Sequence, residues 1–191
     1  MMFARTERLL LRPGWREDAP ALAAAIGDEA IVRNLATAPW PYGEEDAESF
    51  LTRMEADGLP NFLIFSRTLG APRLVGGCGI RPDESGAPEL GYWIARPYWG
   101  LGFATEAGRA VVQIARAMNL PQLRAMHALD NPASGNVLRK IGFRPTGRVA
   151  LRHSRGRGAD VPCALFEEGE AVQMRQDLYA DLYEDARALA A

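Results

Sequence analysis

Hydrophobic and polar positions change period several times along the chain, and each change marks an element. "RLLLRPG" (8–14) is a short apolar run closed by Pro-Gly and reads as a first strand. "REDAPALAAAIG" (16–27) follows as a helix, with acidic residues in its first turn and Gly27 to end it. "LATAPWPYG" (35–43) is a loop rich in proline and aromatics, and "EEDAESFLTRMEADG" (44–58) returns to helical spacing, with Phe50, Leu51 and Met54 on one side. Three strands come next, over 61–68, 73–82 and 88–95, joined by the turn-bearing links "LGAP" and "DESGA" as antiparallel hairpins are. "FATEAGRAVVQIARAMN" (103–119) is a helix whose Val111, Val112, Ile114, Ala115 and Met118 form a buried side. The strand expected at 122–129 completes a strand–helix–strand step, which implies a parallel pair. A short helix (134–142) ends at Gly142, and two last strands (143–152 and 161–167) flank the loop "HSRGRGAD". An amphipathic helix over roughly 169–189, carrying Leu178, Tyr179, Leu182, Tyr183 and Leu189, closes the chain. The sum is an α/β domain with a mixed sheet.

Composition narrows the picture. The chain has 191 residues, 48% hydrophobic and 24% charged, which suits one globular domain. It holds no apolar run of about 18 residues, so no membrane span is expected. The start, "MMFARTERLLLRPGW", lacks the features of a signal peptide, which points to the cytoplasm. Cys78 and Cys163 lie far apart in apolar contexts without metal-ligand spacing and read as free thiols. The net charge of −2 gives no footprint for nucleic acid, and Lys140 is the single lysine among 22 basic residues.

The stretch "RPYWGLGFATEA" (96–107) is the strongest candidate for chemistry. Glycines between a strand and a helix serve a sharp turn or a close approach by a ligand. At a helix start, exposed N–H groups and the macrodipole favour an anion. A dinucleotide fold would place such a motif after the first strand of the chain, with an acidic residue about 20 positions on. Here the motif lies mid-chain and position 122 is Gln, so that reading fails.

The element order, "TERLLLRP", "ELGYWI", "YWGLGFATEA" and "NPAS" ahead of "KIGF" together resemble the GNAT superfamily of acyl-CoA N-acyltransferases, and within it the RimJ/RimL type. The likeness covers residues 5 to about 167. It implies a mixed, mostly antiparallel sheet of about seven strands flanked by helices. Residues 1–167 would form the transferase domain and 168–191 a further C-terminal helix, packed on the same domain or pairing two subunits. It implies acetyl-CoA as co-substrate, no metal, and a primary amine as acceptor, either a protein N-terminus or a small molecule. The alternative is a non-catalytic acyl-CoA-binding protein of the same fold.

The superfamily signature maps onto Trp99, Gly102 and Ala104, with Trp99 where Arg or Gln is usual. The backbone from Gly100 through Leu101, Gly102, Phe103 and Ala104 to Thr105 would then cradle the pyrophosphate. The resemblance further implies that the 88–95 and 122–129 strands splay, and that an N–H near Trp93 or Ile94 meets the oxyanion. Glu89 stands where relatives place a general base, or it solvates a strand end; it shares a strand face with Gly91 and Trp93, opposite Leu90, Tyr92 and Ile94. Many relatives carry a tyrosine as acid where this chain has Leu138, leaving Ser134 as the substitute, or as the N-cap of its helix. Asn131 would bond the pantetheine amides or simply shape its loop, and Lys140 or Arg139 would reach a phosphate. Trp40, Pro41 and Tyr42 would line the acceptor pocket or tuck onto the core. His127 reads as a packed or edge histidine, and Arg152, His153, Arg155 and Arg157 as a solvated hairpin tip.

Overall fold

The computed structural model describes residues 2–56, 58–68 and 70–169. Its centre is an eight-stranded sheet in the order β1-β2-β3-β4-β5-β6-β8-β7. The strands are β1 (Ala4–Arg5), β2 (Leu9–Arg12), β3 (Asn61–Ser66), β4 (Arg73–Pro82), β5 (Pro88–Ile94), β6 (Arg124–Ala128), β7 (Phe143–Ser154) and β8 (Ala159–Glu168). Every neighbouring pair is antiparallel except β5 and β6, as the helical crossover between them requires. The expected count of about seven rises to eight because β1, only two residues long, pairs with β2.

Helices α4 (Phe103–Ala117) and α5 (Pro132–Ile141) cover one face, and α1 (Ala19–Ile26), α2 (Glu29–Val32) and α3 (Glu44–Ala56) the other. On the first face Leu9, Leu11, Ile64, Ile80 and Leu90 meet Val111, Ala115 and Leu138. On the second, Leu63, Phe65 and Trp93 meet Leu22, Val32 and Leu51. The hydrophobic stripes read from sequence are the ones buried, since each helix has one apolar side to hide, except that Met118, expected on the buried side of 103–119, lies past the end of α4 and is 37% exposed.

Three further expectations change, and one short element is added. The α2 turn lies within 28–34, where the pattern predicts no element, because four residues carry too little period to be seen. Helix α5 begins at Pro132 rather than 134, because Asn131 is its N-cap: the Asn131 side chain accepts from the Ser134 N–H at 3.3 Å. Ser134 is therefore inside the first turn and is not the cap. The hairpin tip is not solvated as a whole. Ser154 is buried with its hydroxyl donating to the Leu35 carbonyl, and Arg157 Nε donates to the Arg33 carbonyl at 2.6 Å. A Cβ at Gly156 would fall 2.5 Å from Val32 and 3.2 Å from the Ala38 carbonyl, so the tip packs hard against the chain after α2. The C-terminal helix of 169–189 falls outside the described residues apart from its first position.

Leu138 is fully buried among Val111, Phe143 and Phe166. The position of the missing tyrosine thus belongs to the core here, and a larger polar side chain has no room. Leu138→Tyr is expected to lower stability by about 1–3 kcal/mol through overpacking, read as an earlier midpoint in urea. A variant as stable as the native chain would contradict this packing.

Candidate functional site

The opening between β5 and β6 comes directly from register. Their parallel ladder joins Glu89 with Arg124 and Leu90 with Ala125, then stops, although both strands continue. Beyond it β6 stays with β8 as far as Ala128, and β5 stays with β4 as far as Ile94. The Ala95 N–H donates to Val75 and that of Asp83 to Ala87, which fixes the alternation along β5. Gly91 and Trp93 turn their N–H groups to β4, whereas Tyr92 and Ile94 turn theirs into the opening. Of Trp93 and Ile94, then, only Ile94 presents an amide there. Its carbonyl is held by the Trp99 indole N–H at 2.6 Å.

Trp99 ties the glycine loop to the end of β5. Gly100 and Gly102 have φ of 77° and 80°, and Gly102 is the residue immediately before α4. Among the described residues, the N–H groups of Gly100, Leu101 and Gly102 find no acceptor, and those of Phe103, Ala104 and Thr105 are the free amides of a helix start. A Cβ at Gly100 would meet no protein atom within 4 Å, so a side chain there would stand in the hollow that the amides face. The Phe103 ring is buried against Tyr98, so this residue offers only its backbone. A groove of about 1040 Å³ runs from Gly102 and Thr105 along α4 to Arg109 and Lys140. Arg109 donates to the Lys140 carbonyl at 2.9 Å and joins the middle of α4 to the last turn of α5.

On the α5 side, the Tyr92 hydroxyl lies 2.8 Å from Ser134 Oγ and 2.9 Å from the Ser134 carbonyl. A phenol has one proton; given to the carbonyl, it leaves the serine hydroxyl to donate to the phenol oxygen. Burial pushes the Tyr92 hydroxyl well above the ordinary tyrosine range, so it stays a neutral donor. Sequence reasoning places Tyr92 on a face but misses this contact, because the partners are 42 positions apart. His127 packs beside it: its Nδ1 lies 2.8 Å from the Ala128 carbonyl and its ring faces Phe166, with Gly135 leaving room above.

Glu89 stands on the opposite face of β5, where Arg81 and Arg124 are its cross-strand neighbours. Burial raises its carboxyl above the ordinary glutamate range; Asp83 and Glu84 add to this, and Arg152 and Arg81 oppose it. Arg124 is drawn off by Asp83 at 3.0 Å and Arg152 by Glu84 at 2.8 Å, so neither forms an ion pair with Glu89. Trp40 is 44% exposed, while the Tyr42 ring packs on the α1–α3 cluster with a buried hydroxyl that finds no partner among the described residues. Burial, with Asp46 nearby, pushes that hydroxyl to about 12. Trp40 and Tyr42 thus part company: one faces solvent, the other the core.

Asn131 and Ser134 are set by an ion cluster. Asp130 accepts two bonds from Arg157, at 2.7 and 3.0 Å, and one from Arg33 at 3.1 Å. This fastens the end of β6 to the β7–β8 tip and to α2. Among the described residues there is no cluster of three His, Cys, Asp or Glu to hold a metal and no helix long and apolar enough to cross a membrane.

Residues 8–144 match the family model described as an acetyltransferase (GNAT) domain. A relative named "uncharacterized N-acetyltransferase p20", from Bacillus licheniformis, is 28% identical over 163 residues, 82% of this chain and 90% of its own length. The structure of a GNAT-family acetyltransferase from Bacillus anthracis superposes with a TM-score of 0.72 at 24% identity, covering 87% of this chain and 97% of the other. RimL, a ribosomal L7/L12 α-N-protein acetyltransferase solved with coenzyme A, gives a TM-score of 0.70 at 19% identity over 87% and 97%.

A raised carboxyl makes folding favour the protonated acid, so this stabilisation is present below the unfolded glutamate pKa of about 4.3 and is lost as pH rises through the folded value. The melting temperature of Glu89→Gln should therefore gain on the native chain as pH rises from about 4 to 7. A difference independent of pH, or one of opposite trend, would remove the desolvated carboxyl from the site.

Proposed function

The chain belongs to the GNAT acetyltransferase family, and from that membership we propose that it moves the acetyl group of acetyl-CoA to a primary amine through the opening between β5 and β6. The observation that carries the reading is the unpaired β5 edge running into a loop of unengaged amides. A pantetheine amide can pair with the Tyr92 and Ile94 edge as an added strand does. The amides of 100–105, at positive φ where glycine permits it, suit a pyrophosphate. Lys140 and Arg109 border the groove beyond and suit the remaining phosphate.

Chemistry on this reading has two sides. The amine enters from the α1–α3 face and reacts as a neutral nucleophile; Glu89, with its raised carboxyl, takes its proton directly or through one water. The Ile94 N–H faces the opening and serves the carbonyl oxygen as negative charge develops there. When the Tyr92 phenol turns its proton from the Ser134 carbonyl to Ser134 Oγ, the serine hydroxyl's own proton is free to hydrogen-bond the departing sulfur on the α5 face. The Asn131 side-chain oxygen is partly engaged as the helix cap, which leaves its amide nitrogen as the wholly free group for the ligand. Trp40, an exposed aromatic of the 35–43 loop, offers a surface for the acceptor. The acceptor is a protein N-terminus or a small amine; the RimL likeness supports the first and is a likeness of fold.

Titration calorimetry with acetyl-CoA tests the reading. Saturable binding by the native chain, reduced at least tenfold in Gly100→Val, is expected; absence of binding sinks it. In an amine screen, Glu89→Gln should lose about 10²- to 10⁴-fold in turnover, with donor affinity retained. Ser134→Ala should lose about tenfold, the worth of one hydrogen bond. Full turnover in both variants would move the catalytic groups elsewhere.

A further inference from the structure

Glu106 is out of place for an anion site. It lies in the first turn of α4, where a second negative charge opposes a phosphate. The structure neutralises it completely. Its Oε1 accepts from the Thr6 hydroxyl at 2.5 Å and the Arg8 backbone N–H at 2.9 Å. Its Oε2 accepts from Arg8 Nε at 2.7 Å and lies 2.7 Å from Nη2 in a salt bridge. Burial alone would raise this carboxyl, but the Thr6 and Arg8 bonds outweigh it and hold the group below the ordinary glutamate range. Glu106 is therefore held as a carboxylate.

The remaining arm of Arg8 reaches the glycine loop. Its Nη1 donates to the Leu101 carbonyl at 2.9 Å, and the guanidinium lies 4.9 Å from the centre of the Phe103 ring. A trans peptide points its carbonyl and its N–H in opposite directions, and the Leu101–Gly102 bond is trans. Fixing the Leu101 oxygen on Arg8 therefore also fixes the direction of the Gly102 N–H, on the side of the peptide away from Arg8 Nη1. Each of the three guanidinium nitrogens is already engaged.

We propose that Arg8 is a positioning residue for donor binding: clamped on Glu106, it sets the Leu101–Gly102 peptide so that the loop's amides converge on the pyrophosphate of the donor. The inference rests on the acetyl-CoA reading above. It gives a task to "TERL" at the start of the chain, which meets the first turn of α4 only after about a hundred residues of fold.

The clamp and a bare charge effect predict opposite signs. If charge alone mattered, Glu106→Gln would tighten anion binding by removing a repulsive carboxylate, and Arg8→Lys would be close to neutral. If the clamp matters, Glu106→Gln loosens Arg8 and weakens acetyl-CoA by about 5- to 10-fold, and Arg8→Lys, which cannot bridge Glu106 and Leu101 together, weakens it at least as much. The measurement is the calorimetric dissociation constant for acetyl-CoA in the full chain, native and variant, below the melting temperature of each. Circular dichroism establishes that every variant is folded at that temperature. Tighter or unchanged binding in Glu106→Gln overturns the proposal, as does native affinity in Arg8→Lys. Glu106→Gln removes no atom of the loop and little volume, so it reads out even where an Arg8 variant does not fold. A native chain that binds no acetyl-CoA fails the parent reading instead.

Discussion

A parallel ladder that lasts for two residues governs this molecule. β5 and β6 are joined at Glu89–Arg124 and Leu90–Ala125 and nowhere further along. Each strand remains fully paired on its other side, so the sheet stays whole while its middle opens. An unpaired strand edge inside a sheet is costly, because its N–H and C=O groups lack partners. The cost is acceptable where a ligand with amides of its own completes the ladder, as the proposed function has the donor do. Alternation along β5 sends Glu89 to one face and Tyr92 to the other, which on that reading separates the base from the groups beside the sulfur.

An opening of this kind needs rigid walls, and apolar packing cannot supply them where the walls must meet a ligand. Polar clamps do so instead. On one side Arg8 joins Glu106 to Leu101; on the other, Arg157 and Arg33 converge on Asp130, next to the cap of α5. Arg157 and Asp130 meet through two parallel bonds, the arrangement in which a guanidinium fixes direction as well as distance. Such pairs contribute little net stability when partly exposed. Their value here is geometric, in holding Ser134 and the glycine loop where burial alone would leave them free to shift.

Local pattern made most of the fold legible. The amphipathic stripes of α3 and α4, the hairpins of β3 to β5 and the glycine junction at 99–102 are all short-range signals, and they hold. So does the face assignment along β5. What was not legible depends on contacts between distant segments. Tyr92 meets Ser134, Arg157 meets Asp130 and Thr6 meets Glu106 across 42, 27 and 100 positions, and no periodicity encodes such meetings. The cap of α5 is an exception of another sort: Asn131 before Pro132 is a local helix-start signal, and the apolar pattern beginning later hid it.

Leu138 shows why a family's residue cannot be carried over by position alone. In this chain that place points into the core between Phe143 and Val111, and no hydroxyl there could reach a sulfur in the opening. The phenol comes instead from β5, one strand away, and touches Ser134 from the other side. Its raised pKa makes it a poor source of protons, since a neutral thiol is far more acidic than this buried phenol. Tyr92 can therefore orient the serine hydroxyl; on the proposed reading Ser134, a weaker acid still, steadies the departing thiolate by a hydrogen bond, and the thiolate takes its proton from solvent while the proton lost by the amine goes to Glu89. On the proposed reading, a tyrosine that orients and a serine that hydrogen-bonds the sulfur would divide between them the task that the resemblance assigns to a single tyrosine.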